Sequence, residues 1–256
     1  MTLRIFFDTM SFLNFEMKKR NVMILLFDCF GTILDYKAVD FEKGLRFLYE
    51  KFFKDKCTYE ELQAYNLELF HEVEELHKSE IETAFVKGEL PLYAKKFGTK
   101  PLYMSPSEEA DFMLLTTELD NFESLPGQLE ELYNQGVAMY VLSNSIYSSE
   151  GLKSLLDRFE IGKYFRNVWS SSDFGKIKPN KEFFMMGIQN ALSENPGESM
   201  DSIVYVGDTY EADVEGATRA GVRSIWINHK EEEDTKGIAT RIITKHDQFM
   251  EAVKSL

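Results

Sequence analysis

Cysteine is scarce in this chain, whose 256 residues include only Cys29 and Cys57. Two cysteines cannot supply the set of disulfides that holds a small secreted domain together. Long apolar runs are absent as well, and no stretch approaches the roughly 18 to 20 apolar residues that a membrane-spanning helix needs. The scarcity of cysteine suits a reducing compartment, so we expect a cytoplasmic location, and the lack of a long apolar run predicts no membrane partner.

Basic residues are few relative to acidic ones, with 29 lysines and arginines against 43 aspartates and glutamates and a net charge of −14. A surface this negative repels the phosphates of nucleic acids and of anionic membranes. The composition therefore predicts no nucleic-acid partner and leaves a small-molecule substrate as the expected ligand. It does not determine the oligomeric state.

Two common catalytic motifs are also missing. The chain has no Gly-x-Ser-x-Gly nucleophile elbow. Gly175-Lys176 lacks both the upstream glycine and the following serine or threonine of a phosphate-binding P-loop. The sequence therefore predicts neither a hydrolase of the serine-elbow type nor a P-loop nucleotide hydrolase.

Short apolar runs alternate with helical segments over most of the chain. Residues 22–27 form a continuous apolar run, as found in strands that are buried on both faces. Further strands are predicted at 137–142, 167–170, 203–207 and 223–227, with helices at 127–135, 149–159, 180–193 and 211–220. This alternation predicts an α/β fold with a doubly wound parallel sheet, a Rossmann-like core made of residues 22–36 and 121–256.

Residues 37–120 have a different pattern, with apolar residues such as Phe41, Leu45 and Leu48 at helical spacing. Capping boxes predict three helix starts, at Thr58 with Glu61, Ser79 with Glu82, and Ser105 with Glu108. Pro91 is expected to kink or break a helix. We therefore expect a helical-bundle cap of about four helices over the strand ends, and residues 1–21 are expected to form an N-terminal extension.

Asp28 follows the first apolar strand directly and precedes a Gly31-Thr32 turn. Ligands of α/β proteins bind beyond the carboxyl ends of the parallel strands, so a carboxylate there points into the site while the glycine lets the backbone turn away. An isolated aspartate at a strand end is more often a turn former or a helix cap. Three further segments at predicted strand ends or in the loops after them favour a functional role: residues 141–144, 175–179, and 204–208 with Asp213 beyond.

With these four segments in this order, the chain resembles the haloacid dehalogenase superfamily of hydrolases. Its motifs run nucleophilic aspartate, serine or threonine, lysine, and an acidic pair, and the resemblance covers nearly the whole chain after residue 21. It implies that Asp28 is the nucleophile of a covalent intermediate and that Ser143 and Lys178 take part in catalysis. Ser143, Asn144, Thr32 and Lys178 are the residues expected to bind or support the substrate.

The charges of these residues predict a metal ion. Asp28, Asp208 and Asp213 are opposed by Lys178 and at most by one further lysine, Lys176, so a phosphate would be repelled unless a divalent cation were bound. Mg²⁺ takes oxygen ligands in octahedral geometry and usually keeps some of its waters. The expected ligands are Asp28, the backbone carbonyl of Phe30, Asp208 and Asp213. The alternative for Asp208 is a helix N-cap.

Phe30 departs from the phosphatase pattern of the superfamily, which generally has an aspartate there to protonate the leaving alkoxide and then to activate water. Phenylalanine can do neither, and three interpretations stay open. The leaving group needs no proton or the cap supplies one; the protein is a metal-free 2-haloacid dehalogenase, whose first motif resembles Asp-x-Tyr/Phe-Gly-Thr; or the site binds a ligand without turnover.

The fourth segment weighs against the dehalogenase interpretation. Dehalogenases typically have Ser-x-Asn-x-x-Asp there, whereas this chain has Asp208 and Tyr210 at the serine and asparagine positions. They also place an arginine early in the cap, and Arg46 lies at a different distance from the nucleophile. We therefore favour a Mg²⁺-dependent phosphohydrolase of a small phosphorylated metabolite, with dehalogenation as the second interpretation and non-catalytic ligand binding as the third.

Overall fold

The structure is a computed structural model that describes residues 22–256. The predicted N-terminal extension, residues 1–21, lies outside the described residues. The strands are β1 Ile24–Phe27, β2 Leu34–Val39, β3 Thr117–Asn121, β4 Ala138–Ser143, β5 Asn167–Ser170, β6 Ile203–Gly207, β7 Arg223–Ile227 and β8 Arg241–Ile243. The α-helices are α1 Phe41–Leu48, α2 Tyr59–His77, α3 Leu90–Phe97, α4 Pro106–Thr116, α5 Leu125–Asn134, α6 Ser149–Arg158, α7 Ser171–Phe174, α8 Lys181–Glu194, α9 Gly216–Ala220 and α10 Phe249–Lys254.

Six strands form one parallel sheet in the order β5-β4-β1-β6-β7-β8. The alternating side chains of β1 enter two separate hydrophobic clusters, Leu25 and Phe27 on one face of the sheet and Ile24 and Leu26 on the other. Helices α5, α6 and α10 contribute to the first cluster, and α8 and α9 to the second. Because helices cover both faces, the predicted doubly wound α/β fold is confirmed.

Helices α1 to α4 lie between β2 and β3 in the chain, and they share a third hydrophobic cluster that contains Leu62, Phe53 and Phe112. The capping boxes predicted at Thr58 and Ser105 open α2 and α4, each with both reciprocal hydrogen bonds. Two π-helical turns, Tyr49–Phe53 and Phe85–Glu89, complete this helical segment. Its role as a cap stays a prediction.

One local prediction in this segment was wrong. Ser79 and Glu82 do not open a helix; the chain turns there, and the Glu82 carboxylate is buried against His77 and Ser171. Pro91 lies in the first turn of α3, directly after the π-helical turn Phe85–Glu89. The helix therefore changes type beside the proline, and the predicted kink or break stays a prediction.

The strands β2 and β3 were not predicted. They pair antiparallel at the entry to and exit from the helical segment, and β2 spans the boundary predicted at residues 36 and 37. Their sequences, LDYKAV and TELDN, are largely solvated and lack the apolar alternation of a core strand. The three-residue strand β8 was also missed. Over the described residues, no helix combines the length and apolar character needed to cross a bilayer.

Candidate active site

Three neighbouring strands bring side chains to one edge of the sheet. Asp28 follows β1, Ser143 ends β4, and Asp208 follows β6. Strand β1 lies between β4 and β6 and runs parallel to both, so their carboxyl ends meet at the same edge. The backbone N–H of Asp28 donates to the Val206 carbonyl at 2.8 Å, which fixes the first residue of the turn after β1.

Lys178 reaches this edge from the loop between α7 and α8. Its Nζ donates to Asp28 Oδ1 at 2.7 Å, to Asp213 Oδ1 at 2.7 Å and to the Tyr205 hydroxyl at 2.8 Å. The lysine side chain is 2% exposed, and an ammonium has three N–H donors. All three donors are therefore used inside the site. Ser143 Oγ donates to the same Asp28 oxygen at 2.9 Å.

The Asn144 side chain holds the backbone of Lys178. Its Oδ1 accepts from the Lys178 N–H at 2.7 Å, and its Nδ2 donates to the Lys178 carbonyl at 3.1 Å. Two bonds to one residue fix the direction from which the lysine side chain enters the site. The structure thus gives Asn144 a supporting role, and its predicted contact with substrate stays a prediction.

The charge states of the buried groups in the site depend on one another. Burial alone would lower the pKa of Lys178, but the Asp213 and Asp28 carboxylates outweigh burial and raise it. Lys178 is therefore an ammonium at neutral pH. Burial, together with the same two carboxylates, raises the pKa of Tyr205 well above its usual value, so this phenol stays neutral and donates to the Leu142 carbonyl at 2.8 Å.

Carboxylates outnumber cations at this edge. Asp28, Asp208 and Asp213 each offer an oxygen atom, and these atoms lie within 4.8 Å of one another. Burial first, and then the charges of Asp28 and Asp213, raise the pKa of Asp208 to about 7. Burial also raises the pKa of Asp213, against the opposing effect of Lys178. One lysine does not neutralise three carboxylates, so the cluster has the charge expected of a cation site.

The turn after β1 adds a main-chain oxygen. The Cys29 carbonyl accepts from the N–H groups of Ile33 and Leu34, and the Gly31 and Thr32 carbonyls accept from histidine side chains. Within the part of the chain that the structure describes, the Phe30 carbonyl between them has no hydrogen-bond donor. Carboxylate and carbonyl oxygens are the ligands that Mg²⁺ prefers, so this donor set fits that ion.

Two glycines leave room for the carboxylates. Gly31 has φ +79°, in the left-handed region, and a Cβ on it would lie 2.5 Å from Asp208 Oδ2. A Cβ on Gly207 would lie 2.4 Å from Asp213 Oδ2. Side chains at these two positions would displace the acidic pair, so the backbone itself forms part of the wall of the site.

Phe30 follows Asp28 by two residues and brings no ionisable group to the site. It is half-buried, packs against the hydrophobic cluster on one face of the sheet, and meets the Tyr36 ring edge-on with 6.4 Å between ring centroids. Tyr36 belongs to β2 and is 49% exposed. The side of the turn that carries residue 30 is therefore aromatic.

One sequence-based alternative changes with the structure, and the role of Thr32 stays a prediction. The N-cap of the helical turn after β6 is Thr209, so the alternative role of Asp208 as the cap is wrong. Thr32 is buried, and its Oγ1 has no hydrogen-bond partner among the described residues. The predicted contact of Thr32 with substrate stays untested, but its backbone carbonyl takes part in the turn.

Three further residues of the site were missed. Tyr205 lies in the middle of the apolar strand β6. The feature of the sequence that could have indicated its role is a hydroxyl group within an otherwise apolar run. His229 and His246 donate to the turn from sequence separations of 198 and 214 residues. Burial lowers the pKa of His246, so its ring is neutral at pH 7. Nothing local in the sequence links either histidine to Asp28.

The geometry agrees with a comparison against protein families. The family model of haloacid dehalogenase-like hydrolases matches residues 25–227. The chain belongs to this family. It is therefore a hydrolase of the haloacid dehalogenase type, as its four motif segments predicted, and the matched residues include Asp28, Ser143, Lys178 and Asp208.

Curated relatives of the chain include phosphatases and nucleotidases. Pyrimidine 5'-nucleotidase PynA of Streptococcus pneumoniae is 24% identical over 243 residues, which cover 90% of this chain and 94% of that protein. Pyrimidine 5'-nucleotidase YjjG of Escherichia coli is 36% identical over 84 residues, which cover 33% of this chain and 36% of that protein. The match to YjjG thus spans about a third of its length.

Solved structures share the fold across nearly the whole chain. HAD-hydrolase YfnB of Bacillus subtilis, in a structure bound to magnesium, has a TM-score of 0.58 and 22% identity and covers 92% of this chain and 100% of that chain. A 2-haloacid dehalogenase of Pseudomonas syringae has a TM-score of 0.66 and 20% identity, and the match covers 91% of this chain and 99% of that chain. These similarities show the fold and do not choose between the two reactions.

Proposed function

We propose that this protein is a Mg²⁺-dependent phosphohydrolase of small phosphorylated metabolites, with Asp28 as the nucleophile. The observation that carries the proposal is the cluster of Asp28, Asp208 and Asp213, each of which offers an oxygen atom within 4.8 Å of the others. A metal-free reaction of the haloacid type gives no reason for an acidic pair as close to the nucleophile as this one. When bound, Mg²⁺ would offset the carboxylate charge and polarise the phosphoryl oxygens.

In this proposal the chain's own residues orient the attack. Ser143 and Lys178 both donate to Asp28 Oδ1, which fixes the rotation of the carboxylate and leaves Oδ2 for the cation or the phosphorus atom. Asp28 attacks phosphorus, the bond to the leaving group breaks, and a phosphoryl group remains on the carboxylate until water hydrolyses this acyl phosphate, releases phosphate and restores Asp28. Lys178 is buried and positively charged, so it also attracts the phosphoryl oxygens. Helices α1 to α4 act as a cap that limits access to this edge.

The aromatic residue at position 30 restricts the substrate. A side chain without a proton cannot protonate an alkoxide, so we propose that the leaving group departs as a weak base, such as a phenolate, a carboxylate or a phosphate. Names among the relatives, including ribulose-1,5-bisphosphate 5-phosphatase and glyceraldehyde 3-phosphate phosphatase, support small phosphorylated metabolites as the broad substrate class. The restriction to weakly basic leaving groups rests on Phe30 alone, because both of these named substrates carry alkyl phosphates.

The second candidate is 2-haloacid dehalogenase, and Phe30 is the observation that favours it, because halide leaves without a proton. One experiment separates the two functions: the protein is given an aryl phosphate or a 2-haloacid, each with Mg²⁺ and with a chelator, and phosphate and halide are measured. Phosphate release that stops with the chelator supports the proposal. Halide release that persists with the chelator, without phosphate release, would replace it.

Mg²⁺ is expected to stabilise the folded protein more at about pH 8 than at about pH 6, because the ion binds the deprotonated form of Asp208. Folded Asp208 has a pKa of about 7, above the value of about 3.9 in an unfolded chain. At pH values between these two pKa values, Asp208 is protonated in the metal-free folded state and ionised in the unfolded state. Its contribution to the free energy of unfolding therefore falls as pH rises. Asp208→Asn should remove both effects.

Thermal unfolding with and without Mg²⁺ across this pH range measures the effect. Asp111→Asn is the matched control, since Asp111 lies on the surface of α4, 59% exposed and paired with Arg158. It should behave as the unmodified protein does. A Mg²⁺-induced shift in melting temperature that is equal at both pH values, or that survives Asp208→Asn unchanged, contradicts the assignment of Asp208 as a ligand.

A further inference from the structure

Two histidines from the far end of the chain hold consecutive carbonyls of the turn after Asp28. His229 Nε2 lies 2.8 Å from the Gly31 carbonyl, and His246 Nε2 lies 2.8 Å from the Thr32 carbonyl. A carbonyl oxygen only accepts, so each Nε2 carries the proton and donates it. His229 follows β7 and is exposed, whereas His246 precedes α10 and is 6% exposed.

The two imidazoles and the Phe122 ring form a stacked cluster. The centroid of Phe122 lies 3.7 Å from that of His246 and 5.4 Å from that of His229, with interplanar angles of 20° and 14°. The two histidine rings are 5.4 Å apart. Phe122 directly follows β3, where the chain returns from the helical segment. The cluster therefore fixes both ring planes, and with them the direction in which each N–H points.

The two histidine hydrogen bonds also affect the neighbouring carbonyl, that of Phe30. Cys29, Gly31 and Thr32 each have their carbonyl oxygen occupied by a donor, whereas the Phe30 carbonyl accepts no hydrogen bond from residues 22–256. Successive peptide planes of a tight turn are coupled, because each carbonyl direction depends on the ψ angle of its own residue and the φ angle of the next. Holding the Gly31 and Thr32 carbonyls in the histidine bonds thus restricts the direction of the Phe30 carbonyl.

We infer that His229 and His246 are positioning residues that orient the Phe30 carbonyl as a ligand for the cation, with Phe122 holding both rings in place. This inference rests on the proposed Mg²⁺ dependence. Neither histidine touches the cation or the substrate; each acts through the backbone of the turn. Removing a residue that orients a metal ligand without touching the metal typically lowers metal affinity by about 10- to 100-fold.

The test measures Mg²⁺ affinity of the substrate-free protein by titration calorimetry in four variants: His229→Leu, His229→Gln, His246→Leu and His246→Gln. Leucine removes the donor, whereas glutamine keeps an N–H at a similar reach from the backbone. Both leucine variants are expected to weaken Mg²⁺ binding by about 10-fold or more, and both glutamine variants to recover most of the loss. His71→Leu is the control, because His71 is an exposed histidine on α2 and should leave affinity unchanged.

Affinity equal to that of the unmodified protein in both leucine variants would overturn the inference, as would an equal loss in the leucine and glutamine variants. If His246→Leu fails to fold, the exposed His229 carries the test alone. If the unmodified protein binds no Mg²⁺, the proposed function fails together with the inference. If the unmodified protein binds Mg²⁺ and both leucine variants bind it equally well, the inference is contradicted and the proposed function is not.

Discussion

Lys178→Met is expected to abolish phosphate release and to lower the free energy of unfolding by about 3–5 kcal/mol, the usual cost of removing one partner from a buried ion pair. Methionine fills a similar volume but offers no donor. Asp28 Oδ1 and Asp213 Oδ1 each lose a bond of 2.7 Å, and the side-chain exposures of 11% and 1% leave them little water as a replacement.

The stability that Lys178→Met loses should be greater at alkaline pH than at acidic pH. Lys178 holds down the pKa of the buried Asp213, so without the ammonium that pKa rises further in the folded state, and the variant loses stability as pH increases and regains part of it in acid. Chemical denaturation of the variant at acidic and alkaline pH measures this difference. Lys176→Met is the matched control, since Lys176 is only partly buried and makes its described contact with Ile81 through the backbone. A Lys178→Met protein with unchanged stability and turnover contradicts the assigned site.

Phe30→Asp is expected to raise hydrolysis of alkyl phosphates by about 10²- to 10⁴-fold, the range that general acid–base catalysis contributes. Aryl phosphates should gain far less, because a phenolate leaves without a proton in the first step. The Phe30 ring is only half-buried, so a carboxylate at this position can stay partly hydrated. The ratio of the two kcat/KM values is the quantity to measure.

Phe30→Asn separates proton transfer from the change in shape. Asparagine resembles aspartate in size but has no proton to give at neutral pH. We expect the alkyl-to-aryl ratio to rise only in the aspartate variant. An equal rise in both variants would show that the phenylalanine ring excludes alkyl substrates by its bulk, and the account of the leaving group would then be wrong.

The parallel core and the residues around Asp28 were predictable because their signals are local. Each motif segment joins an apolar run to a polar residue at its end, and parallel strands place such ends together without further information. Asp28, Ser143, Lys178 and Asp213 therefore meet through fold class alone, and all four are joined by hydrogen bonds in the structure.

The remaining features depend on contacts that have no local pattern. Strands β2 and β3 are mostly solvated, so no apolar periodicity marks them. Glu82 follows Ser79 at the spacing of a capping box, but its carboxylate instead accepts from Ser171, 89 residues away. His246 lies 214 residues from the carbonyl that it holds. Such pairs are fixed by tertiary packing and not by sequence spacing.

The central claim is that Asp28 becomes phosphorylated during turnover, and rapid-quench mass spectrometry tests it most directly. The unmodified protein, Asp28→Asn and Asp111→Asn would each be mixed with an aryl phosphate and Mg²⁺, quenched in acid and digested. We expect the mass of one phosphoryl group on the peptide that contains Asp28 in the unmodified protein and in Asp111→Asn, and neither label nor phosphate release in Asp28→Asn. Sustained phosphate release by Asp28→Asn, or a label on another residue, would contradict the account.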